Sequence, residues 1–237
     1  MYFKTEGVIL AHRNFGEADR ILTIYTKDHG KITALAKGVR RPRSKKGGHV
    51  ELGNWSKIFV ARGKNLDLLT EVETKRAFGI DQFTQEKANK IYHLLELVDT
   101  LTAEKQKNPG VFVLLVRYLI NIENGENFNL VSIVFKIKLL SALGFFSASF
   151  LKDSKTKKVL TFLENEDFDR IKEKITKSQK ALGPQSRAHR GARTARFSSK
   201  ARGSYLKLLG FLDSMIESLT QTKLKTARFI DGEWNPH

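Results

Sequence analysis

The chain has 237 residues, no cysteine and a formal net charge of +17, from 42 Lys and Arg against 25 Asp and Glu. Disulfides, thiolate metal sites and a cysteine nucleophile are thereby excluded, which fits a reducing cytoplasm. With 41% hydrophobic and 10% aromatic residues the sequence belongs to a folded protein of one or two domains, and its basic excess suits nucleic acid, an anionic membrane surface or acidic proteins.

The excess is concentrated. Residues 1–80 carry 16 basic and 8 acidic side chains, and residues 174–212 carry 10 basic and none acidic. Residues 81–173 between them balance at 13 and 13.

In chain order, "EGVILAHR" reads as a first short strand, and Lys4 and Glu6 keep the N-terminus from resembling a signal peptide. "DRILTIYTK" alternates, with Ile21, Thr23 and Tyr25 on one face and Leu22, Ile24 and Thr26 on the other. "DHG" at 28–30 has turn chemistry and leads into a third strand, "KITALAKG". "GVRRPRSKKGG" follows, and the ten residues from Lys37 to Lys46 hold six cations and no acid. "NWSKIFVAR" and "LDLLTEVET" complete five strands. Five short strands with tight turns suit a small barrel of the OB or SH3-like type, and the pattern alone does not separate them.

The period changes near Phe83. Thr84 is placed to cap a helix with Ile91, Leu95, Val98 and Leu101 on one face, and Asn108-Pro109 opens a second with Phe112, Leu115, Leu119 and Ile122 inward. Asn129 is read as the cap of a third, with Ile133, Ile137 and Leu140 inward and Gly144 as its stop. Its surroundings, 130–151, are long and apolar enough to span a bilayer. Lys136 and Lys138 sit in the middle, each costing about 2.5–3.5 kcal/mol in lipid, so a buried core helix is expected. Helices around 156–164, 167–181 and 205–219 follow. The fold class is therefore α+β: a barrel domain over 1–80 and a helical domain over 81–237. The Gly-, Pro- and Arg-bearing stretch 182–203 is expected to be a flexible basic segment. In an extended chain its Arg187, Arg190, Arg193 and Arg196 would follow a phosphate backbone.

Catalytic signatures are missing. The six histidines are dispersed, no phosphate-binding glycine loop or nucleophile elbow occurs, and the acidic run 164–169 reads as helix capping. No metal or cofactor is expected, and no enzyme. Binding chemistry is better represented. Lys37, Arg40, Arg41, Arg43, Lys45 and Lys46 form a phosphate-facing loop, with Arg13 and Lys57 as further cations. Trp55, Lys57 and Phe59 share one face of the fourth strand, where a single strand would stack. Trp55 or Phe59 filling the barrel core is the competing placement.

Several motifs together resemble the bacterial recombination mediator family RecO: Glu6-Gly7-Val8-Ile9-Leu10, Gly16-Glu17 with Asp19, the hairpin from Thr26 to Lys31, and the loop from Ala36 to Lys45. "FKIKLLSALGF" at 135–145 and "LKTARFI" at 224–230 are similar to later parts of the family. The resemblance implies an OB-fold followed by helices. It also implies binding of single- and double-stranded DNA, and annealing of complementary strands. As partners it implies RecR, the C-terminal tail of single-stranded DNA-binding protein and, indirectly, RecA, in a bacterial cytoplasm at the nucleoid. Many members carry four cysteines that hold zinc; this chain has none, so zinc is not carried over. An RNA-binding OB module is the alternative reading.

Overall fold

The computed structural model describes residues 1–78, 84–181 and 193–226, without the side chains of 178–181 and 193–206. Five strands come first: β1 (Tyr2–Phe15), β2 (Asp19–Thr26), β3 (Gly30–Ala36), β4 (Trp55–Ala61) and β5 (Asp67–Arg76). They close into a barrel in the order β1-β2-β3-β5-β4. That closure is the OB arrangement, which settles the choice left open by the strand pattern. β1 is long because it serves two neighbours. Its first half pairs with β4 and its second half with β2, with a register shift between Ile9 and Ala11 where it bends. β3 and β5 complete the closure through a short parallel contact at Ala34 and Leu35.

Alternation assigns the faces. Ile9, Leu22, Ile24, Ile32, Ile58, Val60 and Leu69 fill the interior. Trp55, Lys57 and Phe59 point outward, as their alternation with Ile58 and Val60 requires, so neither aromatic belongs to the barrel core.

Helices follow: α1 (Gln85–Leu101), α2 (Pro109–Glu123), α3 (Phe128–Ala142), α4 (Ser154–Asn165), α5 (Phe168–Ala181) and α6 (Arg193–Thr220). The capping read from sequence is present at two of them. Thr84 accepts from the Lys87 N–H, and Asn108 accepts from the Val111 N–H with Pro109 just behind it. The third differs by a turn position: α3 begins at Phe128, so Asn129 lies inside the helix. Gly144 does end it, at φ +79.

The described chain forms two compact units. The first holds residues 1–128 and the chain from Leu219; the second is Asn129–Ser218. In the first unit α1, α2 and the segment between them cover the outer face of β2 and β3. Tyr25 is fully buried there and its hydroxyl donates to the Asn108 carbonyl at 3.2 Å; burial raises its pKa to about 12, so the proton stays in place. The Lys31 ammonium pairs with Asp99 at 3.2 Å, and Thr33 donates to Glu104 at 2.7 Å. Gly30 is at φ +67, and a Cβ there would stand 2.1 Å from the Gln106 carbonyl oxygen, so only glycine fits. Residues 225–226 return to α1, where their backbone N–H groups donate to the Glu96 carboxylate at 2.7 and 2.9 Å.

In the second unit α3 is buried nearly all round, Lys136 included at 2% exposure. Its ammonium pairs with Asp213 of α6 at 2.5 Å, and Lys138 donates to the Glu164 carbonyl at 2.8 Å. Thus both lysines are satisfied within protein, and no described helix is long and apolar enough to cross a membrane. Residues 135–140 are packed in the core of this unit, whereas Phe145 beyond the helix is exposed.

One further expectation is corrected. Residues 193–203 are the start of α6, not a loop. Their Arg, Ala and Lys are good helix formers, and the Gly-Pro signal at 183–184 does not reach them. Arg193 and Arg196 are therefore helical and not part of an extended strip, while Arg187, Arg190 and the rest of 182–192 fall outside the described residues.

Candidate nucleic-acid interface

The basic loop joins β3 to β4 across one mouth of the barrel. It is pinned from below by apolar side chains. Val39 and Val50 are buried with the barrel core, and Leu52 packs against it. Asn54, also buried, donates to the Gly48 carbonyl at 2.9 Å, and the His49 ring meets the Thr74 hydroxyl at 2.9 Å.

The loop is also tied to the β1–β2 turn. Gly38, at φ +67, reverses the chain. Its N–H donates to the Asp19 carboxylate at 2.7 Å, and the Arg40 N–H donates to the Ala18 carbonyl at 2.9 Å. The Arg40 guanidinium reaches the Gly16 carbonyl at 3.3 Å. Short-range turns, Arg41 N–H to Gly38 and Ser44 N–H to Arg41, fold the crest.

With valines and backbone facing the barrel, the cations face water. Lys37, Arg40, Arg41, Arg43 and Lys45 are exposed, and Lys46 is half-buried. None of the six pairs with a carboxylate among the described residues. Elsewhere in this unit basic side chains do pair: Arg20 with Glu51, Lys31 with Asp99, Lys75 with Glu6 and Arg76 with Glu123. These cations thus crowd a hydrogen-bonded crest without acidic partners among the described residues, so they repel one another unless anions come to them.

Beneath the crest, His12, Arg20 and Glu51 meet at the barrel mouth. Arg20 bonds Glu51 at 2.9 Å, and the His12 ring lies 3.8 Å from the same carboxylate. Burial, and then the Arg20 charge, hold His12 below its ordinary pKa, with Glu51 pulling the other way.

The other sequence candidates are placed less favourably. Arg13 is exposed on β1 opposite Ile21, near the turn that carries Gly16. Lys57 is exposed but stands in register between Glu6 and Glu73. Trp55 donates its indole N–H to Glu6 at 3.0 Å, and the Lys75 ammonium lies 4.3 Å from its ring centre. Lys75 also bonds Glu6 at 2.7 Å; these bonds outweigh burial and keep the Glu6 carboxyl below its usual range. Phe59 stacks on Tyr2 at 5.6 Å. The outer face of β4 is thus a neutralised, self-packed surface, separate in chemistry from the loop.

Sequence reasoning missed the lock between loop and turn. Asp19 and Ala18 carry it, and no local pattern marks a backbone contact across twenty residues. Phe15, also missed, ends β1 beside this turn and is half-exposed.

The comparisons bear on residues 1–78 and 90–149. The family model described as recombination protein O N terminal matches residues 1–78, and the one described as recombination protein O C terminal matches residues 90–149. The chain is similar to a DNA repair protein RecO of Dehalococcoides mccartyi (strain CBDB1), 36% identical over 143 residues, covering 60% of this chain and 56% of that one. A DNA repair protein RecO of Pelotomaculum thermopropionicum is 32% identical over 143 residues, with the same coverage. One from Alkaliphilus metalliredigens is 36% identical over 146 residues, 61% of this chain and 59% of that one. The chain thus spans a little over half the length of these relatives.

Proposed function

The chain belongs to the RecO family, and from that premise we propose that it is a non-catalytic DNA repair and recombination mediator that binds and anneals single-stranded DNA. The observation that carries the reading is the pinned crest of unpaired cations, Lys37 to Lys46, on an OB barrel. Each phosphate held by one of these side chains releases a counterion, which favours binding regardless of sequence. Arginine adds bidentate contact to phosphate oxygens.

Annealing needs no covalent step. A cationic surface lowers the repulsion between two strands and raises their local concentration. Helping to load recombinase onto gaps covered by single-stranded DNA-binding protein belongs to the same proposal. So do RecR and the tail of that protein as partners; both come from the family resemblance rather than from any described pocket. The acidic run at 164–169 has structural duties: Glu164 bonds Ser141 and the Ala148 N–H, and Glu166 pairs with Arg170.

A salt titration of oligonucleotide binding tests the reading. Four to six contacts on a single strand give a slope of log K against log salt of about −3 to −4. Changing Arg40, Arg41 and Arg43 together to Ala flattens it by about 2 units. Affinity falls alike across sequences, because phosphate contacts position without specifying. An unchanged slope in the triple variant means that the crest does not hold DNA. Tighter binding to RNA than to DNA of the same sequence favours the RNA-binding alternative.

A further inference from the structure

Phosphate contacts alone do not distinguish an unpaired strand from a duplex. A flat apolar face does, because a duplex keeps its bases stacked inside. Phe15 supplies such a face. The residue is 49% exposed, although its backbone is held in the β-ladder opposite Asp19. Arg13, two residues back, projects from the same side of β1.

A single exposed aromatic is ordinary on a protein surface; position distinguishes this one. The turn that follows Phe15 receives three hydrogen bonds from the cationic loop, at Gly16, Ala18 and Asp19. Phe15 and the cationic loop therefore flank the same hydrogen-bonded turn at this edge of the barrel. Among the described residues of this unit the other strongly exposed aromatic, Tyr2, is already stacked on Phe59. Trp55 has a lysine over its ring and its N–H engaged. The outer face of β2 and β3 is covered at Tyr25, Lys31 and Thr33.

We infer that Phe15 is the base-stacking residue of this edge: an unpaired base lies on its ring while the cations of the 37–46 loop hold the neighbouring phosphates. The inference rests on the reading of that loop as a nucleic-acid clamp. It assigns the preference for unpaired strands to one side chain and the sequence-independent affinity to the loop.

The test compares the full-length chain with Phe15→Leu, Phe15→Ala and Phe15→Trp. Each is titrated with a fluorescent oligo-dT and with a duplex of equal length at several salt concentrations. Leu keeps an apolar side chain but offers no ring. Phe15→Leu and Phe15→Ala each weaken single-strand binding on the order of tenfold. Duplex affinity and salt slope stay as in the parent, since no phosphate contact is lost. Phe15→Trp retains affinity, and its fluorescence is quenched by oligo-dT beyond the quenching seen in the parent. Parent-like single-strand affinity in Phe15→Leu overturns the inference. So does an equal loss on single strand and duplex, because Phe15 would then only hold the loop in place; a flattened slope overturns it too, because phosphate contacts would then have been lost with the ring. A parent chain that binds neither oligonucleotide at low salt overturns the clamp reading itself, and that failure is distinct from parent-like variants on a chain that binds.

Discussion

Arg40 joins the two requirements of the crest in one residue. Its backbone N–H is bonded to Ala18, so the position is fixed, while its side chain is exposed and has no acidic partner among the described residues. His12, beneath the crest, is the titratable counterpart. Its pKa is depressed in the folded chain by burial and by Arg20, and that of His29 by burial and by Arg62. A depressed histidine binds fewer protons folded than unfolded, so stability rises with pH across its titration. The contribution is complete above the unfolded value, about 6.5. It is lost progressively as pH falls from there through the folded values. Melting temperature between pH 7.5 and 5 should therefore fall, and His12→Asn should fall less steeply. An unaltered pH profile in that variant would remove His12 from the account.

At the scale of elements, the β3–β4 connection owes its shape to Val39 and not to its charges. Val39 is 5% exposed and packs with the barrel core, while both flanks of the connection are hydrogen bonded. Val39→Ala removes two buried methyl groups and leaves a cavity, costing about 2 kcal/mol. It should also weaken oligonucleotide binding at unchanged salt slope, since the cations remain but their frame loosens. Guanidinium denaturation read beside the binding titration checks both parts. In the second unit α3 carries a comparable device, the Lys136–Asp213 pair. Lys136→Met leaves Asp213 without this cation. The cost is on the order of 2 kcal/mol, less than for a fully buried pair because Asp213 keeps 25% of its side chain in water. Replacing both residues with apolar ones should recover most of that loss, and a double-mutant cycle by denaturation measures it.

These elements also show what was legible. Strand alternation at Trp55–Ala61 sorted the side chains into two faces, but which face fills the barrel depends on the closure of the sheet, which puts Ile58 and Val60 inside. Thr84 and Asn108-Pro109 announced two helix starts because capping is local chemistry. The start of α6 was missed, since its Arg- and Ser-bearing stretch resembles loop in composition while its residues tolerate helix well. The candidate interface was legible as charge but not as architecture. Six cations in ten residues are visible in the string; the bonds that tie them to Gly16, Ala18 and Asp19 are not. Likewise nothing local showed that Lys75 and Glu6 would occupy Trp55, because those contacts depend on the register of three strands.

For the whole molecule, +17 is a liability without ligand. Repulsion among like charges destabilises the compact state, and salt screens it over about 10 Å at 0.1 M. Salt should thus act in opposite directions on two properties. It stabilises the free chain by screening, and it weakens DNA binding by removing the gain from counterion release. Melting temperature measured without DNA should rise between about 50 and about 300 mM salt, as the screening length shortens. Arg40→Ala, Arg41→Ala and Arg43→Ala in one chain remove three charges from the densest cluster, so that rise should shrink, and the variant should be at least as stable as the parent at low salt. Oligonucleotide should substitute for salt in the parent: at about 100 times its dissociation constant it adds about 2.7 kcal/mol, an increment that shrinks in the triple variant at the same concentration. The chain has no cysteine, and its described residues hold no group of three potential ligands for a metal, so a chelator should leave both melting curves where they are. A parent whose melting temperature ignores both salt and oligonucleotide would show that the cations are dispersed enough not to repel, and would remove the physical reason for a polyanion at the crest.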